Sequence, residues 1–137
     1  MARIVLTNAL VTINAVDLSD LVASITLSSS IDSIETTAFG TSGARSRIGG
    51  LADNSISLEF HQDYSTSEVE ATIFPLIGTV TTVTVKPVNA ATSATNPLYT
   101  ISALVSEWTP LNGAVGELAT ASVTWPVSGA IAKTTSA

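Results

Sequence analysis

Apolar and polar residues alternate along most of this chain. Ala9, Val11 and Ile13 interleave with Leu10, Thr12 and Asn14, and Ala23, Ile25 and Leu27 with Ser24, Thr26 and Ser28. Ile56, Leu58 and Phe60 interleave with Ser57, Glu59 and His61, and Val83 and Val85 with Thr82, Thr84 and Lys86. The last run is the most regular: Ala119, Ala121, Val123, Trp125 and Val127 against Thr120, Ser122, Thr124 and Pro126. A period of two puts one set on each face of a strand, so these runs predict strands buried on one side. Thr and Val suit such half-buried pleated surfaces. Pro126 has no N–H to give to a ladder, which places its strand at an edge or ends it there. Thr79 to Thr81 are out of step with Thr82 to Lys86, predicting a bulge or a late strand start. Between Leu98 and Trp108 the apolar set changes parity near Leu104, so both faces of that strand are expected to be covered.

One segment departs from the two-residue period. In STSEVEATIFPLIG, Ser65 with Glu68, or Ser67 with Glu70, has the spacing of a capping box. Val69, Ile73, Leu76 and Ile77 then share a helical face, Gly78 suits the C-cap, and Pro75 should kink or shorten the helix. The spacing predicts one short helix over roughly 67–77. Turns are expected at Asn14-Ala15, Asn96-Pro97 and Asn112-Gly113. The total is seven or eight strands and one helix: a mainly β chain, an antiparallel β-sandwich or barrel-like sandwich with a flanking short helix and a long inter-strand loop. We expect one domain over residues 1–137, ending from about 129 in a flexible tail, SGAIAKTTSA, which has no periodicity.

Composition sharpens this picture. A chain of 137 residues can bury a real core in one domain. Five Lys and Arg against eleven Asp and Glu give a net charge of −6, which argues against binding nucleic acid by neutralising phosphates. With no cysteine there is no disulfide or thiolate metal site. The first residues, MARIVLTNALVTINAVDL, are too polar and interrupted for the apolar core of a signal peptide, and no run reaches the ~18–20 apolar residues of a membrane span. A soluble chain made in the cytoplasm is the expectation. Only 12% of residues are charged, about half the usual share, while 20 are Thr and 18 are Ser. Such a weakly charged surface is that of an ordinary Thr-rich β-protein or of a subunit buried between neighbours.

Candidate chemistry is sparse. His61 is the sole histidine and shares a strand face with Asp63, two residues on, and with Glu59; a metal on His61 and Asp63 would need a third ligand, for which Glu68 or Glu70 could swing near. The plainer reading is a solvated polar face running into a helix cap. There is no GxSxG elbow, no glycine-rich phosphate loop after a strand and no paired carboxylates in an apolar setting, so neither catalysis nor a cofactor is expected. Trp108 and Trp125, in WTP and WP, could line a sugar-binding face. More often such residues fill a core or an interface while the indole N–H finds a carbonyl.

The segment FGTSGARSRIGG is different. It holds Arg45 and Arg47, with no acidic residue between Glu35 and Asp53 to meet them, and it also carries Phe39, Ile48 and nearby Leu51. Two arginines could simply keep a loop soluble, but that role does not need three apolar side chains. Arginine keeps bidentate contacts when buried. Phe39, Arg45, Arg47, Ile48 and Leu51 are therefore expected to form a docking loop onto another copy of the chain.

The order of these elements resembles a known family. ALVTINAVDLSDLVASITL, then TAFGTSGARSRIGGLADNSISLEFHQDYS, EVEATIFPLIGTVTTVTVKP, SATNPLYT and EWTPLNGAVGELATASVTWPVSG are together similar to the major tail tube protein of long, non-contractile-tailed bacteriophages, nearest to those of actinobacteria. The resemblance spans about residues 8–131. It implies a β-sandwich whose copies form rings, usually hexameric, stacked around a tape measure protein and bounded by tail terminator and tail-tip proteins. The finished tube conducts DNA into the host without binding it specifically. It further implies that the segment from Thr41 to Asp53 bridges to adjacent subunits or rings. Glu59, Asp63 and Glu107 are expected at the lumen or an interface. A carbohydrate-binding sandwich using the two tryptophans, or another virion component such as a capsid decoration or tail-completion protein, are the competing expectations.

Overall fold

A computed structural model describes residues 3–40 and 42–136. The alternating runs become two antiparallel sheets. The larger takes strands β1 (Leu10–Ile13), β2 (Val16–Asp17), β5 (Val80–Lys86), β6 (Leu98–Leu104) and β8 (Ala132–Thr134) in the order β2-β1-β5-β6-β8. The smaller takes β3 (Val22–Glu35), β4 (Arg47–His61) and β7 (Thr120–Pro126) in the order β3-β4-β7. Val11, Ile13, Val83, Val85, Ile101 and Ala103 from the first sheet meet Ile56, Leu58, Phe60, Ala121, Val123 and Trp125 from the second in one buried cluster. These are the inward members of the alternating runs, as half-buried strands require. The fold is mainly β, two antiparallel sheets with one short helix.

The helix crosses from β4 to β5. It is α1 (Val69–Ile73), continued by a 3-10 turn over Phe74–Leu76, which contains Pro75. Val69 and Ile73 are fully buried, Leu76 packs against the core, and Gly78 takes φ +85 and donates its N–H to Val105. Neither capping box forms. Glu68 is the N-cap without a side-chain bond, and Asp63 organises the approach, its carboxylate accepting the Ser65 N–H and its carbonyl the Glu70 N–H. Asn14 and Ala15 turn the β1–β2 hairpin, both with positive φ.

Three further expectations are refined. No bulge precedes Thr82: β5 starts at Val80, which faces out, while Thr81 joins Val83 and Val85 inside. The apolar Val80 on the outer face made the register look broken. The expected tail from 129 contains strand β8, whose residues 132–134 pair with Leu98–Thr100 and cover an otherwise open edge. A segment without apolar periodicity can do this because its three strand residues are all exposed and need only backbone pairing. The long loop is also shorter than expected. Arg47, Ile48 and Leu51 belong to β4, and the connection is 36–46; Thr41 within it lies outside the described residues.

The sandwich closes along one seam and stays open along the other. After β7, Val127 bridges to Ala103 and the Ser128 N–H donates to Ser102, joining the two sheets. On the opposite side, β3 is separated from the segment 6–9 and the end of β5 by a continuous groove.

Candidate assembly interface

Strands β3 and β4 run past the sandwich. β7 ends at Pro126, opposite Ser55, so beyond Asn54 the two strands have only each other. Asn54 marks the boundary: it is buried, donates from its side chain to the Gly129 carbonyl and accepts the Val127 N–H. Residues 30–35 of β3 and 47–53 of β4 therefore form a two-stranded arm, a structure of marginal stability on its own in water. A bulge sets its direction. Between the pairs Ile31–Ala52 and Ser33–Gly49, β3 advances two residues and β4 three. Gly50 makes room there, since a Cβ would lie 2.7 Å from Ile34 Cδ1.

The arm carries apolar side chains with nothing to cover them. Ile31, Ile34, Ile48 and Leu51 are all exposed, and Phe39 at the tip is wholly so. Burying this apolar surface against another chain would favour association. The neck of the tip is narrowed by the Thr36 N–H to Ser46 carbonyl bond and the Ser46 N–H to Thr37 hydroxyl bond. Arg45 does have a local partner: its guanidinium pairs with Glu35 at 3.1 Å. The hairpin brings these two together although ten residues separate them in sequence. Both side chains are largely exposed, so the pair contributes little to stability and is open to exchange. Arg47 stands opposite Glu35 in the strand register. Ile31 and Ile34, on the β3 half, escaped the sequence reading; the signal was there in SSSIDSIE, where isoleucines recur in a serine-rich run.

The two edges of the smaller sheet differ. On β7 the Thr120 N–H is taken by the Asn112 carbonyl, the Thr124 N–H by Glu107 Oε1 at 2.7 Å, and Pro126 has none to offer. Glu107 thus serves as an edge block, and its carbonyl also accepts the Trp125 indole N–H. Among the described residues no strand lies beside the β3 edge. A long, nearly uncharged free edge is a template for another chain.

The outer face of the same sheet is rich in hydroxyls. Ser28 bonds to Ser55 and Ser57 to Thr124, and Glu59, opposite Ser122, stands among them with Glu107 nearby. Arg47, at the far end of the arm, is the only lysine or arginine on β3, β4 or β7. Asp63 is not on this face, being used at the helix approach.

Trp108 and Trp125 do not pair. Trp125 is fully buried; Trp108 packs edge-on against Phe60 at 5.7 Å and donates its indole N–H to Glu70 Oε1. They present no shared aromatic face to a sugar. His61 pairs with Thr120 at the end of β4, and among the described residues no three His, Asp or Glu side chains gather as a metal site. A second exposed apolar set, Leu111, Val115 and Leu118, lies on the connection to β7. Sequence reading missed it because these residues are scattered in a loop without period.

No protein-family model matches the sequence, and no curated protein matches it. Solved structures match its fold. The chain is similar to one from the virion of a native gene transfer agent particle, with 14% identity, TM-score 0.73 and coverage of 93% of this chain and 95% of that one. It is similar to a chain in the tail of an empty gene transfer agent particle solved with C6 symmetry, at 15% identity, TM-score 0.63, covering 83% and 82%. A chain of an extracellular contractile injection system, the PVC sheath–tube complex in its extended state, matches at 14% identity and TM-score 0.69, covering 97% and 92%. At such identities the likeness is one of fold.

Proposed function

We propose that this chain is the repeating subunit of a phage-type tail tube, a structural virion protein that assembles with copies of itself into stacked rings. The observation that carries the reading is the arm: a two-stranded ribbon and its tip bearing exposed Ile31, Ile34, Phe39, Ile48 and Leu51, apolar side chains that the described residues leave open to a neighbour. The fold likeness to chains of a gene transfer agent tail and a sheath–tube complex supports it, and the C6 symmetry of the former supports hexameric rings. The strand and loop series resembles the tubes of long, non-contractile tails, which would close around a tape measure protein between terminator and tip proteins.

In this reading the hydroxyl face of β3, β4 and β7, with Glu59 and Glu107, lines the lumen. Hydroxyls and carboxylates without cations let a polyanion pass without holding it. The subunit acts by geometry and has no reaction to catalyse. Negative-stain microscopy of the concentrated protein tests the proposal: rings or tubes are expected. Strictly monomeric particles, both alone and with the tape measure protein added, would reject it.

A further inference from the structure

The arm needs an acceptor, and the open seam of the sandwich has the matching chemistry. Along β3 the groove is mostly apolar, a space of about 350 Å³ lined by Leu6, Ile25, Leu27, Tyr99 and Ile131, with Lys86 on its wall held by the Ala90 carbonyl. It adjoins a cleft of about 740 Å³, sharing Leu6, Ala9 and Ile25 with it, whose walls carry Asp17, Asp20 and Glu68. Asp17 is engaged by the Ser19 N–H and hydroxyl, whereas Asp20 and Glu68 make no ion pair among the described residues. Apolar floor and acidic mouth complement a tip that combines Phe39 with Arg45 and Arg47.

Resting on the arm reading above, the geometry points to the open seam of a second copy, between β3 and residues 6–9, as the socket for the arm tip. Phe39 enters the apolar groove, and Arg45 and Arg47 meet Asp20 and Glu68. The arm leaves from the Glu35 end of β3 and the acidic mouth lies at the Val22 end. Donor and acceptor thus occupy opposite ends of one molecule. Such a contact is head-to-tail and continues from copy to copy, either closing into a ring or extending along an axis. An exposed Arg45–Glu35 pair is a suitable holding state, since exchanging one exposed carboxylate for another costs little.

Photo-crosslinking tests the socket. A Phe39→p-benzoylphenylalanine chain, mixed at high concentration with ¹⁵N-labelled wild-type chain and irradiated, should give mixed-isotope crosslinks to residues 6–9, 17–29 or 68. Placing Arg45→Glu and Arg47→Glu on the probe chain should lower their yield about tenfold or more, because like charges then face each other. Pairing that chain with an Asp20→Lys, Glu68→Lys acceptor should restore it, and unchanged circular dichroism of each variant verifies the fold. Mixed-isotope crosslinks falling instead on Leu111 to Leu118, or on another arm, would overturn the socket and leave the arm reading standing. Crosslinks confined to single copies would overturn both.

Discussion

Strand β4 passes through two environments. At its root, Ile56, Leu58 and Phe60 alternate with polar residues and are buried beneath the other sheet. In its arm half, Ile48 and Leu51 lie three residues apart across the bulge and stand in solvent with Ile31 and Ile34 of β3. The difference is one of neighbours. The root has β7 beside it and β1, β5 and β6 across from it, while the arm has only its own partner strand. An apolar residue on a strand records that its position expects cover; it does not record whose atoms supply it. In the root they are the chain's own. In the arm they have to come from elsewhere.

Substitutions can break this comparison from either side. The largest effect belongs to the root: Trp125→Ala or Phe60→Ala should cost about 3–5 kcal/mol in denaturant unfolding, as large side chains lost from a closed core do. In the arm, Ile34→Ser with Ile48→Ser should leave the unfolding free energy within about 0.5 kcal/mol of wild type, because no core is touched. Sedimentation should nonetheless show assembly lost. Arg45→Glu with Arg47→Glu should behave likewise, and high salt should weaken wild-type assembly if these charges take part. A large drop in monomer stability from any arm substitution would mean that the arm packs on its own sandwich.

Smaller effects sharpen the contrast between edges and turns. Glu107→Ala removes the acceptor of the Thr124 N–H and should cost about 1 kcal/mol, measured by thermal unfolding. Ala15→Gly relieves a left-handed conformation at φ +67 and should stabilise the monomer by about 1 kcal/mol. Neither change alters the arm, so neither should prevent assembly.

Much of the root was legible in the sequence because its alternation is backed by strong β-formers and ends in a readable signal, Pro126. The helix was legible in kind, but its cap was not: Asp63, two residues before the nearer capping serine, did the work expected of Ser65 or Ser67. The arm was half legible. Phe39, Arg45 and Arg47 stood out by composition, but glycines suggested a loop where Gly49 and Gly50 instead allow a bulged strand beneath Ile31 and Ile34. The Arg45–Glu35 pair was hidden for the same reason, since only a hairpin register brings residues 35 and 45 together. Glu107 as an edge block and the open seam along β3 depend on how distant segments meet, which local pattern does not encode.

Hydrogen exchange on the monomer and on the assembled protein tests the central claim most directly. Amides of the root, in residues 54–61 and 120–126, should be protected in both states. Those of the arm, in residues 31–35 and 47–52, should exchange fast in the monomer and become protected only on assembly. Arm amides already as slow as the root in the monomer, or still fast in the assembled tube, would contradict the account.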